Sequence, residues 1–382
     1  MQEKALLLIK KSATSILTFT TRLASIIELN YFNKTMNSLK EKISLALSQA
    51  QSTQIFDKAV VGVLLPNQET LFISLNACPD SVFDIASLTK VCPTSTIALH
   101  YILKGELSPE TPVASWIQEL QTNYRDQILL KHLLTHSLDY RIPMSSLKHL
   151  SPEEILNHLY NYSFEKAPGT IFNYGNPASI LLGILLQRFS GKSLSVLGKE
   201  LLFDPLHMTR SGWFPLQRMS RSEIIPTEHC AFRKEIIQGV VHDESAFILE
   251  QLFPVGSAGM FSTIEDLMKF VQMLLQDGLY KGEQVMPAGI LNIISRNALD
   301  PSMNAQTALG FELNNPRFMG TRCSSRTFGK TGFTGASIVA DPEQNAAIIL
   351  LSNFTWPHRE EKPERIYTFR SYLSDLFFES LN

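Results

Sequence analysis

Ala336-Ser337-Ile338-Val339-Ala340, then Asp341-Pro342-Glu343-Gln344-Asn345, then Ala346-Ala347-Ile348-Ile349-Leu350-Leu351-Ser352 reads as a strand, a turn and a second strand. Two aliphatic runs are separated by residues that favour turns. The other end of the chain mirrors this pattern. Ala59 to Leu65 is an almost wholly apolar run, Pro66-Asn67-Gln68-Glu69 supplies turn chemistry, and Leu71 to Leu75 reads as the returning strand. Helical spacing brackets the two hairpins. Met36 to Gln51, with apolar positions Leu39, Ile43, Leu45 and Leu47, reads as an imperfect amphipathic helix, and about Pro363 to Leu381 shows Ile366, Phe369, Leu373, Leu376 and Phe377 at helical spacing.

The signals between the hairpins are helical and well punctuated. Ser151-Pro152-Glu153-Glu154 offers a cap, a proline in the first turn and a capping-box glutamate, and Ser262-Thr263-Ile264-Glu265 repeats the device. The second of these helices carries Leu267, Phe270, Val271 and Leu274 on one stripe and stops near Gly278. Another runs from Pro177 to about Ser190, with Gly191 as its terminator. The fold class expected is α+β, an α/β sandwich. An antiparallel sheet is built from both termini and flanked by helices, with an inserted, mostly helical subdomain. Residues 36–382 form one domain in this reading, with a sheet portion of about 36–85 and 325–382 and an insertion of about 86–324. Cutting the chain between the hairpins would separate strands of one sheet.

Composition narrows the function classes. The 34 Lys and Arg against 36 Asp and Glu leave a net charge of -2, which gives no field to gather nucleic acid or an anionic membrane. Cys78, Cys92, Cys230 and Cys323 are far apart and form no Cys-x-x-Cys pair, so they read as free thiols. Lys4, Lys10 and Lys11 flank two short apolar stretches, Ala5 to Ile9 and Ala13 to Phe19. Both fall short of a signal core with a cleavage site or a membrane span of about 20 residues. Residues 1–35 are expected to be a loosely structured extension, which a translation start at Met36 would remove. The expected location is cytoplasmic, with the periplasm as the alternative.

The chemistry begins at Ser87-Leu88-Thr89-Lys90. A serine hydroxyl is a poor nucleophile until a base takes its proton and donors hold the developing oxyanion. On a helix starting near Asp84 or Ala86, residues three apart share a face, so Lys90 can reach Ser87, and the Ser87 amide is a candidate oxyanion donor. A lysine acts as base only when neutral, which calls for desolvation or a neighbouring cation, and Lys330 can be that cation. Ser-x-x-Lys recurs at Ser145-Ser146-Leu147-Lys148 and Ser163-Phe164-Glu165-Lys166, both in polar, turn-prone stretches. Ser87 instead lies between Phe83, Ile85 and the apolar run from Ile97 to Leu103. Pro93 implies either a distorted first turn that presents the serine or a regular helix that begins beyond it.

Two further strings complete the set. In Tyr174-Gly175-Asn176-Pro177 the phenol can pass a proton to a leaving group. Asn176 can cap the following helix, or fix Lys90 or the substrate. Tyr31-Phe32-Asn33 shows that Tyr-x-Asn also arises by chance. Lys330-Thr331-Gly332, at the mouth of the strand Ala336 to Ala340, offers a cation and a hydroxyl for a substrate carboxylate and a glycine that lets backbone approach. A phosphate loop is the competing reading, but Ser324 replaces its first glycine and strand residues follow where a helix should.

The combination resembles the serine β-lactamase and penicillin-binding-protein superfamily, in its class C-like branch of β-lactamase-related hydrolases, over roughly residues 40 to 355. Tyr174 follows Ser87 by 87 residues and Lys330 follows Tyr174 by 156, the order and spacing of that branch. Leu133-Leu134-Thr135-His136, Val241-His242-Asp243-Glu244-Ser245-Ala246, Gly256 to Thr263 and Gly332-Phe333-Thr334-Gly335 look like further strings of it. The resemblance implies an antiparallel sheet with helices on both faces and a helical subdomain. It implies Ser87 as nucleophile, Lys90 and Tyr174 sharing acid and base work, Asn176 orienting, and Lys330, Thr331 and Gly332 at the substrate carboxylate. The amides of Ser87 and Phe333 would form the oxyanion hole. Phe333, and Ser257 where relatives often have His, turn the reading from lactam breakdown toward other amides and esters.

The expected function is therefore a serine hydrolase that forms an acyl-enzyme on an amide, peptide or ester. A catalytically silent penicillin-binding-like module is the alternative, and transfer to an amine instead of water is a third outcome. The expected partner is a small-molecule or peptide substrate with a free carboxylate, with no nucleic acid, no stable membrane span, no cofactor and no metal. His132 and His136, four residues apart, lack the Glu of His-Glu-x-x-His, and helix packing accounts for them better. His242-Asp243-Glu244 reads as a hydrogen-bonded loop before it reads as a cation site, and Cys92 as a small buried side chain.

Overall fold

The computed structural model describes residues 36–303, 305–359 and 363–381. The expected extension over 1–35 lies outside them. Strands β1 (Ala59–Leu64) and β2 (Thr70–Leu75) form the first hairpin. They join β3 (Glu312–Leu313), β4 (Phe328–Thr331), β5 (Ser337–Asp341) and β6 (Ala346–Ser352) in one sheet of order β2-β1-β6-β5-β4-β3. Every pairing is antiparallel. Ala59 lies opposite Ser352 and Leu64 opposite Ala347, so the two ends of the chain are stitched at the middle of the sheet.

All six residues of β1 and all seven of β6 are buried, because helices cover both faces. Alternation divides the side chains. Val61, Val63, Ile348 and Leu350 face α1 (residues 36–52) and α7 (Glu364–Glu379), through Leu39, Ile43 and Leu47 on one and Ile366, Phe369, Leu373 and Phe377 on the other. Leu45, counted among the apolar positions of that helix, is 60% exposed, and Ala46 and Ala50 complete the buried face instead. Val60, Leu64, Ile349 and Leu351 face the helical portion. There α6 (Ile264–Leu275) crosses the sheet at Gly62, where a Cβ would come within 2.9 Å of Ile264 Cγ1 and Met268 Cε.

The expected cap of α6 moves by one residue. Thr263 accepts the Asp266 amide at 3.2 Å, while the Ser262 hydroxyl belongs to a buried contact with Ser211. The cap expected at Ser151 forms, and with Glu154 it closes the capping box of α4 (Pro152–Tyr160). Helix α5 (Asn176–Ser190) ends at Gly191, whose left-handed backbone reverses the chain. The short pair of Phe83–Asp84 with Phe261–Ser262 ties the start of the helical portion to the segment before α6.

Candidate active site

Four segments meet at the edge between sheet and helices. The Ser-x-x-Lys string begins with a tight turn. Ala86 has a positive φ of 47°, held by Asp84 Oδ1, which accepts the Ala86 amide at 2.8 Å. Residues Ala86–Lys90 form a 3-10 turn, the backbone leaves helical geometry at Cys92, and regular helix α2 begins at Thr96 and runs to Leu103. Both readings of Pro93 therefore hold: a distorted first turn presents Ser87, and the regular helix starts beyond the proline.

Lys90 is 1% exposed, and its Nζ lies 2.9 Å from Ser87 Oγ, 2.8 Å from Asn176 Oδ1 and 2.9 Å from the Ser257 carbonyl oxygen. No carboxylate touches it. Burial pulls its pKa below that of an ordinary lysine and Lys330 adds to the shift, against opposing pulls from Tyr174 and Asp243. Asn176 does not cap α5. Gly175 stands at the cap position, and Asn176 in the first turn turns its amide aside, accepting from Lys90 and donating to Asp243 Oδ2 at 2.9 Å. Asp243 is held in turn by the Ala246 amide and the Ser245 hydroxyl.

Tyr174 stands between the two lysines. Lys330 Nζ lies 3.7 Å and Lys90 Nζ 5.5 Å from its ring centroid. Tyr174 is 43% exposed, but its hydroxyl points inward, where desolvation alone would raise the phenol's pKa; Lys330, Lys90 and a hydrogen bond with Ser87 outweigh it and hold the value below that of an ordinary tyrosine. Lys330-Thr331 is itself strand, the end of β4, where sequence reading placed it ahead of one. Its edge is pressed against the serine turn: a Cβ on Gly332 would meet the Ile85 carbonyl oxygen at 2.5 Å, and Thr334 Oγ1 donates to the Asp84 carbonyl at 2.7 Å. Phe333 is 45% exposed, and its backbone amide donates to no described residue.

All eight candidate residues thus come together, and four more that were not among the candidates join them. Glu312, on β3, accepts from Lys330 Nζ at 2.5 Å and from Asn315 Nδ2 at 2.8 Å. This ion pair keeps Lys330 charged, above an ordinary lysine despite its burial. Arg370 reaches from α7 to donate to the Gly332 and Ala336 carbonyls at 2.7 and 2.9 Å, bracing the loop that carries Phe333. The Ser257 carbonyl and the buried ring of His136, 4.8 Å from that of Tyr174, line the remaining walls. Burial and the two lysines hold His136 far below an ordinary histidine, so the ring is neutral. Glu312 and Arg370 carried no signal in the sequence, since strand register and helix docking alone bring them in. His136 belonged to a string already noticed.

The His-Asp-Glu string forms the hydrogen-bonded loop expected of it. His242 pairs with Glu228 at 2.9 Å, and Glu244 with Arg359 at 2.9 Å. Among the described residues no three His, Cys, Asp or Glu side chains gather as metal ligands, and no single helix is long and apolar enough to cross a membrane. The cysteines are unpaired.

A buried lysine on a serine, backed by a tyrosine and a second lysine in the cleft of an antiparallel α+β sandwich, defines a serine hydrolase. The Beta-lactamase family matches residues 53–371, and the chain belongs to that family. It is similar to the N-acetylmuramyl-L-alanine amidase of Bacillus subtilis (strain 168), 26% identical over 72% of this chain and 68% of that one. It is also 27% identical to a protein of Escherichia coli (strain K12) described provisionally as a D-alanyl-D-alanine carboxypeptidase, over 73% and 70% of the two chains. The fold is that of EstCE1, "a hydrolase with promiscuous acyltransferase activity", with a TM-score of 0.69 at 18% identity over 88% of this chain and 99% of that structure.

Proposed function

We propose that Ser87 is the nucleophile and neutral Lys90 its base, in an acyl-enzyme hydrolase of small-molecule or peptide amides and esters. The observation that carries this reading is the set of three contacts at Lys90 Nζ. Asn176 Oδ1 and the Ser257 carbonyl can only accept, so they take the two N–H bonds of a neutral amine and aim its lone pair at Ser87 Oγ, 2.9 Å away. Lys90 takes the Ser87 proton as Oγ attacks the carbonyl carbon. Tyr174, a phenol of lowered pKa beside the serine, relays a proton to the leaving group. The amides of Ser87 and Phe333 receive the oxyanion, each worth about 3–4 kcal/mol. Water then attacks the acyl-enzyme by the reverse relay.

The test is covalent. A fluorophosphonate and a fluorescent penicillin are each incubated with the wild type and Ser87→Ala, and the adduct is located by mass spectrometry. A label on Ser87 that is absent from the variant is expected. Turnover of D-Ala-D-Ala peptides, nitrocefin and short-chain esters, measured in parallel, then assigns the acyl group. No adduct with several probes, together with no turnover of any of these substrates, overturns the reading.

A further inference from the structure

We propose that Asp243 is a positioning residue for the base: its carboxylate fixes which end of the Asn176 amide faces Lys90, and so keeps the Lys90 lone pair aimed at Ser87. This rests on the acyl-enzyme reading above and gives the His-Asp-Glu loop a part in it.

A carboxamide is nearly symmetric in shape, so the Asn176 side chain fits its place with either end toward Lys90. The two orientations are chemically opposite. With Oδ1 toward Lys90, 2.8 Å away, the amide takes an N–H of the amine and leaves the lone pair to the serine, whose Oγ lies at 2.9 Å. With Nδ2 there instead, an N–H would donate into that lone pair and take the place of the Ser87 proton. A neutral amine tolerates both ends. What forbids the second orientation is Asp243 Oδ2, 2.9 Å from the far end of the amide, which can only accept and would meet the flipped oxygen as a second acceptor.

Asp243 is itself locked. Its Oδ1 accepts the Ala246 amide at 2.8 Å and the Ser245 hydroxyl at 2.6 Å, capping the short helix Glu244–Leu249, which leaves Oδ2 for Asn176. The backbone beneath is tied to the serine turn. Asp84, buried, takes the His242 amide on Oδ2 at 2.7 Å and the Ala86 amide on Oδ1 at 2.8 Å, so one carboxylate sets the distance between the Asp243 loop and Ser87. Arg233 holds the same stretch by donating to the Val241 and His242 carbonyls at 2.7 and 3.1 Å.

Substitution at 243 separates this role from packing, because the most conservative change should do the most harm. In Asp243→Asn the Ala246 amide and Ser245 hydroxyl still call for an acceptor, so the new Nδ2 takes the place of Oδ2, draws the Asn176 oxygen toward itself and puts an N–H on Lys90. In Asp243→Ser the cap survives and nothing holds the far end of the amide, so both orientations are populated. Ester turnover is expected to rank wild type above Asp243→Ser above Asp243→Asn, with kcat about thirtyfold down in the last. Both substitutions also remove a negative charge that, with Tyr174, opposes the pull of burial and Lys330 on Lys90. The Lys90 pKa falls further, and the rising limb of kcat/KM should move to lower pH. Asp243→Asn at or above Asp243→Ser, or a limb that stays put, overturns the proposal. Asn176→Ala removes the amide through which Asp243 acts, so adding Asp243→Asn to it should change kcat by less than about twofold. Losses that multiply overturn the proposal even where a single substitution weakens the fold. Ester turnover that survives Ser87→Ala instead overturns the underlying acyl-enzyme reading.

Discussion

Two lysines lie buried on either side of Tyr174, and their surroundings are opposite. Lys90, on the helical side, is held by three uncharged oxygens and sits below the ordinary lysine value. Lys330, on the strand side, is held by a carboxylate and sits above it. Desolvation acts on both and favours the neutral amine; only a counter-charge reverses it. The same residue type is thus drawn toward the neutral amine in one place and held as a cation in the other. The cation in turn acts on its neighbour, since Lys330 is one of the groups that draw the Lys90 pKa down.

Substitutions can break this opposition in order of severity. Lys90→Met removes the base while preserving the chain's bulk, and kcat should fall about a thousandfold. Single-turnover ester cleavage measures it, and a loss of less than tenfold would remove Lys90 from the proton path. Lys330→Met strips the counter-charge from Glu312 and removes the neighbouring cation from Lys90 and Tyr174. Turnover should fall about a hundredfold and stability by roughly 3 kcal/mol in urea titration, because an uncompensated carboxylate remains in a largely buried place.

The pH profile of Lys330→Met gives the sharper reading. Only neutral Lys90 accepts the proton, so kcat/KM rises with pH through the Lys90 pKa, which lies below the ordinary lysine value. Removing the cation that lowers that pKa must move the rising limb to higher pH. A limb that stays put, or moves the other way, assigns it to a different group. Smaller effects lie further from the pair. Arg370→Met deprives the Gly332 and Ala336 carbonyls of a buried donor and should cost about 2 kcal/mol in the same titration. Ser151→Ala, at the cap of α4, should cost about 1 kcal/mol and leave kcat unchanged.

Legibility in the sequence followed the range of the interaction. The hairpins at both ends were legible because each is a local pattern of apolar runs and turn residues. So was α5, bounded by Pro177 and Gly191. Ser87 and Lys90 were legible because three residues suffice to bring them together. What escaped depends on distant partners. Asn176 stood open between a helix cap and a hold on Lys90, and the fold chooses the second and adds Asp243, while Glu312 carries no signal until register sets it beside Lys330. Leu45 misled because it is apolar but two residues from both Ile43 and Leu47, and at about 100° per residue that puts it on the opposite face of the helix.

The antiparallel pairing of Ala59 with Ser352 carries a consequence for biosynthesis. A ribosome makes Lys90 240 residues before Lys330, and the two strands that anchor the Lys330 strand follow later still. Until β6 emerges, β1 presents an open edge to any other nascent chain, and Ser87 has no anchored Lys330 strand opposite it. Vectorial synthesis therefore keeps Ser87 and Lys330 apart until the second hairpin has been made. It also leaves the first hairpin as the segment most in need of protection while it waits for its partner.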